Sequence, residues 1–200
     1  RWEKFELFID VGEVGPDYQP GHAHADTFSF ELYINGRPVI VDTGTSTYVV
    51  NNTRFYERST AAHNTVVVCG QNSSQVWAAH RVARRARVQV FCDEEERIVA
   101  VHDGYKRLGC LHTRKVEKVG KYIRITDEVD REGTAYLHFM PKENVVLDGN
   151  RLLGSDYCIE FDGAREIEPF TSMYSPEFNK REERRSFRIS FDRRLETIIQ

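Results

Sequence analysis

From Thr27 onward the chain alternates. Phe28, Phe30, Leu32 and Ile34 fall on one side of "TFSFELYI", with Thr27, Ser29, Glu31 and Tyr33 on the other. A period of two is the mark of a half-buried strand. "NG" at 35–36 follows at once, the strongest short hairpin signal, and "RPVIVDTG" returns the chain. The pattern predicts an antiparallel pair of 27–34 with 37–43, ended by Gly44. "FELFIDVG" at 5–12 reads as an earlier strand, within a run that opens at Arg1 as "WEKFELFIDVG". A Gly/Pro loop leads from it to Gly21.

Two stretches break the alternation. "TSTYVVNNTRFYERSTAA" at 45–62 reads as an ordered loop with a short helical turn at 53–60. "HNTVVVCG" at 63–70 is a β-branched strand, and the polar excursion "QNSSQVWAAHR" follows it. From residue 82 short apolar runs recur, separated by the turn-like pieces "DEEE", "VGK", "DREG", "DGNRLLGSD" and "DGA". No helical period holds for three turns. The spacing predicts one all-β domain over 1–200, a large antiparallel β-sandwich of about 12–16 strands with no substantial helix.

Composition narrows the function. A net charge of −3 gives no domain-wide positive field, which argues against nucleic acid as a partner. The basic clusters "HRVARRAR" (80–87) and "KREERRSFR" (180–188) are interleaved with apolar or acidic residues, as on solvated strand faces. Such a face also suits an acidic polysaccharide. No apolar run is long enough for a transmembrane span. Four cysteines without a CxxC argue against a thiolate zinc site and read as buried free thiols. A chain that begins at Arg1, without Met, is expected to be a piece of a longer protein.

The candidate chemistry begins at "PGHAHADTFSF" (20–30). If "HAHAD" is extended, His22, His24 and Asp26 share a face, with Ala23 and Ala25 behind them. Imidazole and carboxylate together suit a divalent metal. The hairpin register brings Asp42 to the same end as His24, and His63 stands at another strand's entrance. Two histidines and a carboxylate, His24, His63 and Asp42, suit a tetrahedral zinc site with an open fourth position. Asp26 and Asn64 then stand behind the ligands and orient them. A cupin-like site is disfavoured, because Glu31 comes seven residues after His24, too far for that pattern.

"GHAHADTFSFELYINGRPVIVDTGTSTY" followed by "RSTAAHNTVVV" resembles the C-terminal β-domain of the heparinase II/III-like polysaccharide lyases. The likeness is strong over 21–70 and fainter to the end, where "YSPEF" (174–178) and "FRISF" also fit. The resemblance implies a zinc-like ion on His24, Asp42 and His63, the set the hairpin register suggests. It implies that His22 faces a substrate cleft, abstracting a proton or holding a uronate carboxylate. It further implies an N-terminal (α/α) toroid that supplies a catalytic Tyr and lies across the cleft, and a periplasmic or extracellular location.

A lyase of this kind removes the C5 proton of a uronate and expels the oxygen at C4. It therefore needs a base, an acid and a neutralised carboxylate. Tyr48, Arg54, Tyr56 and Arg58, in the loop between Asp42 and His63, are candidates to meet the substrate, since Tyr can donate a proton and Arg can clamp a carboxylate or sulfate. His80, His102, His112 and His138 have no ligand-like sequence neighbours and read as strand-face residues. Trp77 suits either a sugar ring or the core. The competing reading is a metal-stabilised carbohydrate-binding scaffold without catalysis of its own.

Overall fold

Fourteen strands make up most of the described chain, Trp2 and residues 4–200 of a computed structural model. In chain order they are β1 (Phe5–Ile9), β2 (Phe30–Ile34), β3 (Arg37–Ile40), β4 (Val66–Val68), β5 (Gln75–Trp77), β6 (Arg81–Ala83), β7 (Val88–Glu94) and β8 (Arg97–His102). Then come β9 (His112–Val119), β10 (Tyr122–His138), β11 (Val146–Asp148), β12 (Arg151–Leu153), β13 (Cys158–Tyr174) and β14 (Glu182–Ile199). One helix, α1 (Asn52–Glu57), interrupts them. The expected opening of the first strand at Arg1 and Glu3 lies outside the described residues.

Two sheets form the sandwich. The smaller has the order β1-β2-β3. The larger runs β11-β12-β13-β14-β10-β9-β8-β7, with β4 paired to β10, and every pairing between its strands is antiparallel. The alternation explains the packing. Phe30, Leu32 and Ile34 of β2 and Val39 and Ile40 of β3 are buried in one continuous core with Val66, Ile125, Leu137, Phe187 and Ile189 of the larger sheet. Each such side chain removed from water contributes about 1.5–3 kcal/mol before the cost of ordering it.

The structure departs from the sequence pattern at bends. β2 starts at Phe30, not Thr27, because the Ser29 N–H donates to the Asp26 carbonyl at 2.7 Å and Phe28 adopts φ +68°, a turn that strand geometry cannot contain. β3 stops at Ile40 after a register shift, so residues 41–43 leave the hairpin. Gly44 takes φ +74°, and a Cβ there would lie 2.3 Å from the Ser175 carbonyl oxygen, so only glycine fits. "DREG" is no turn. It is a bulge between Glu128 and Glu132 within a continuous β10. "DGA" likewise lies inside β13, at a pair of irregularities. Bulges bend a strand without reversing it, which merges runs that the sequence divides.

The "QNSSQVWAAHR" excursion holds a second hairpin, β5 with β6. "DGNRLLGSD" contains β12. The helical turn expected at 53–60 is α1, followed by a 3-10 turn over Thr60–Ala62. All four cysteines are free, as expected, but only Cys110 is buried; Cys69 is exposed.

Candidate functional site

The "HAHAD" stretch is not a strand. Pro20–His22 form a 3-10 turn, and Ala23 returns to extended backbone at φ −61°, ψ 146°. This kink between the histidines overturns the expectation that they share one face. His22 is exposed, its ring centroid 5.4 Å from both Tyr48 and His80. His24 turns inward to His63, with ring centroids 5.3 Å apart. One ligand-capable atom from each of His24, Asp26 and His63 lies within 4.8 Å of the others.

The two aspartates exchange their expected positions. Asp26 supplies the carboxylate of this group, whereas Asp42 stands behind His63, its Oδ2 2.5 Å from Nδ1. Burial opposes a charge on His63, but the adjacent Asp42 carboxylate outweighs it and raises the imidazole pKa. Burial likewise opposes ionising Asp42, yet His63 holds its pKa well below the usual carboxylate range. Nδ1 thus donates to Asp42, and the other nitrogen, Nε2, is buried without a partner. A carboxylate–imidazole pair with the second nitrogen free is the arrangement that orients a metal ligand. His24 is held neutral: burial, then the positive charges of His63 and Arg54, push it down to about 3. A neutral imidazole is the ligand form. The donor set therefore fits a divalent ion.

Arginines brace the loops that hold these groups. Arg58 donates to the carbonyls of Ala23 (2.8 Å), Trp77 (3.3 Å) and Ala78 (3.2 Å), tying the histidine loop to the β5–β6 hairpin. Arg184 donates to the carbonyls of Val41 (3.0 Å) and Asp42 (3.1 Å). The Asn64 amide donates to the carbonyls of Phe30 (2.9 Å) and Val41 (3.2 Å), and its oxygen accepts from the His138 N–H at 2.8 Å. Asn64 thus joins three segments and touches neither histidine's ring nitrogens, so it orients the site by way of backbone.

Beneath it runs a buried chain of hydrogen bonds. The Gly104 N–H donates to His102 Nδ1 (3.1 Å), His102 Nε2 to His112 Nδ1 (3.0 Å), and His112 Nε2 to Asp127 (2.7 Å). Arg114 grips the same Asp127 at 2.7 and 2.9 Å and holds the carbonyls of Phe28 and Asn64. Three of the four histidines expected on strand faces, His102, His112 and His138, are buried in such bonds.

The expected substrate residues divide. Tyr48 is exposed. Arg58 is wholly buried in its bracing bonds, which removes it as a surface clamp. Arg54 is also buried, its Nη1 3.1 Å from His24 Nε2 and its guanidinium 5.0 Å from the Tyr48 ring centroid; its Nη2 has no partner. Tyr56 is half-buried, and burial pushes its hydroxyl up to about 12, so it stays protonated. Trp77 is exposed, not core.

Two further residues complete the outer surface: Phe178, and His80, which lies in the turn before β6 and not on a strand face as expected. His80 and Phe178 each stack on Tyr48, with ring centroids 5.5 Å away. Phe178 lies in "YSPEF", which had marked the likeness without suggesting a role. On the other side of the site a cavity of about 340 Å³ is lined by Asp10, Asp26, Glu31 and Asp42.

The profile of the heparinase II/III-like C-terminal domain matches residues 1–200. The chain belongs to this family. A heparin-sulfate lyase from Bacteroides stercoris is 30% identical over 133 residues, 62% of this chain and 19% of that protein. The heparinase II/III-like domain also superposes on a crystal structure of heparinase III with TM-score 0.79 at 22% identity, covering 98% of this chain and 33% of that one. The heparan sulfate lyase of Pedobacter heparinus gives 0.77 at 19%, over 96% and 32%. The chain thus spans about one fifth of the curated relative and one third of the solved ones, and these structural likenesses bear on the fold.

Proposed function

We propose that this domain is the β-sandwich portion of a polysaccharide lyase that cleaves uronate-containing polysaccharide, heparan sulfate-like or alginate-like, by β-elimination. The observation that carries the reading is the division of "HAHAD". His22 points outward into a rim of Tyr48, His80 and Phe178, while His24 points inward to His63 and Asp26.

In this reading His22 meets the uronate, either taking the C5 proton or neutralising the carboxylate beside it. Tyr48 and Phe178 offer rings to the sugar. Arg54 acts at one remove, by holding His24 and packing on Tyr48. His24, His63 and the Asp26 carboxylate would hold a divalent ion, zinc first, with Asp42 orienting His63. The ion, when bound, supplies a fixed positive charge that locks the two loops together. The acid that protonates the leaving oxygen comes from an N-terminal helical toroid of the same longer protein, and the whole acts in the periplasm or outside the cell, where large polyanions are met.

The test is the production of unsaturated uronate by the full-length protein that contains this domain. His22→Ala should reduce turnover by at least about 100-fold, the lower range for a positioned acid–base group. Full activity without His22 would leave the domain a metal-stabilised carbohydrate-binding scaffold.

A further inference from the structure

A second cavity, of about 240 Å³, opens beside the β5–β6 hairpin. Gln71, Asn72, Ser74 and Gln75 bring amides and a hydroxyl to it; among the described residues, Arg84 and Arg107 bring its only charges, both positive. Its walls are set by the fold. Asn72 Oδ1 accepts from the Thr60 N–H at 3.0 Å, and the Ser74 hydroxyl accepts from the Ala86 N–H at 2.9 Å. Arg107 Nη2 donates to the Asn72 carbonyl at 2.8 Å, which fixes one guanidinium at the wall.

Arg84 is the unexplained residue. It takes φ +44°, a left-handed backbone that is uncommon outside glycine. Its side chain is exposed and has no hydrogen bond or ion pair among the described residues. It also lines a neighbouring cavity of about 520 Å³, where Arg85 is already paired with Asp17. An observed backbone outlier with an unpartnered charged side chain points to a task outside the fold. Two guanidinia stay charged at any pH near neutrality, and no carboxylate lines the smaller cavity to balance them. A carboxylate or sulfate between them would be held by charge-assisted, fork-shaped hydrogen bonds.

The same hairpin joins this cavity to the candidate site. Arg58 bonds to Trp77 and Ala78 at its tip, Arg54 Nε donates to the Ala79 carbonyl at 3.2 Å, and His80 packs on His22. We propose that the cavity is a second subsite for the same polymer: it takes an acidic sugar, its anionic group between Arg84 and Arg107 and its hydroxyls on the Gln71, Asn72 and Gln75 amides. The inference rests on the reading of this domain as part of an acidic-polysaccharide lyase.

Calorimetric titration of the whole chain with two uronate octasaccharides, one sulfated and one not, tests it. Arg84→Gln removes no internal bond, so folding is preserved. It should weaken binding about tenfold and flatten the salt dependence, with thermal midpoint and zinc content unchanged. Arg84→Gln/Arg107→Gln should weaken it further. A loss confined to the sulfated ligand assigns the anion as sulfate; an equal loss assigns it as carboxylate. Binding that His22→Ala weakens but both arginine variants leave intact overturns this subsite alone. No binding of either ligand by the wild type overturns the subsite, while the lyase reading stands or falls on turnover by the full-length protein.

Discussion

Asp42 and His63 are joined by a 2.5 Å hydrogen bond, and the far nitrogen of the same imidazole is buried with no partner. The pair fixes both the ring's direction and its tautomer. One ligand-capable atom of the ring lies within 4.8 Å of one each from His24 and Asp26. An ion bound there is the proposal, and it yields predictions at several removes from the site.

Asp42→Asn keeps the shape of the side chain but weakens the orienting bond. Zinc affinity, read by chelator competition, should fall about 10–100-fold. Asp26→Asn removes a ligand-capable oxygen and should weaken zinc as well. An unchanged affinity in either variant contradicts the arrangement.

His22 is exposed and braces nothing. His22→Ala should shift unfolding free energy by no more than about 0.5 kcal/mol, the usual range for surface positions. Urea denaturation checks this, and a larger loss would make His22 a structural residue.

Arg114 and Asp127 form a buried pair beneath the loops. Arg114→Met leaves Asp127 with His112 alone and frees the carbonyls of Phe28 and Asn64. The cost should be about 3–5 kcal/mol, as when one partner of a buried ion pair is removed. Stability within 1 kcal/mol of wild type, an order-of-magnitude threshold set by surface pairs, would show the pair to be dispensable.

His102 and His138 are held well below the ordinary imidazole pKa, and His112 is lowered too, in each case chiefly by burial. The unfolded chain then binds more protons than the folded one below about pH 6.5. Stability from these groups is full above that pH and declines beneath it, by up to about 1.4 kcal/mol per pH unit for each histidine. Asp127, buried but held low by Arg114 and His112, adds stability above about pH 3.9 that is lost as pH falls through its folded value. Denaturation in chelator between pH 7.5 and 5 should show the decline, and His102→Asn should reduce its slope.

The sequence carried the sandwich well because β2 alternates cleanly before "NG", and the turn set the register as far as Tyr33–Pro38, where a shift breaks it. It carried the membership of the site less evenly. His24 and His63 were legible from their places at strand entrances. The outward turn of His22 was not, because a 3-10 turn at Pro20 undoes the two-residue period on which its orientation was argued. Arg54 and Arg58 look like surface charges in "NNTRFYERS". Their burial is decided by backbone carbonyls of residues 23 and 77–79, brought in from distant segments. His80 gave no signal at all, since its neighbour His22 lies 58 positions away. The long strands β10 and β13 were divided at Gly-containing pieces because bulges and turns use the same residues.

The central claim is that two histidines two residues apart do different work. Metal content of the purified chain, measured by mass spectrometry for wild type, His24→Ala and His22→Ala, tests it most directly. The account predicts one equivalent of zinc in the wild type and in His22→Ala, and its loss in His24→Ala. A metal-free wild type, or equal loss in both variants, contradicts it.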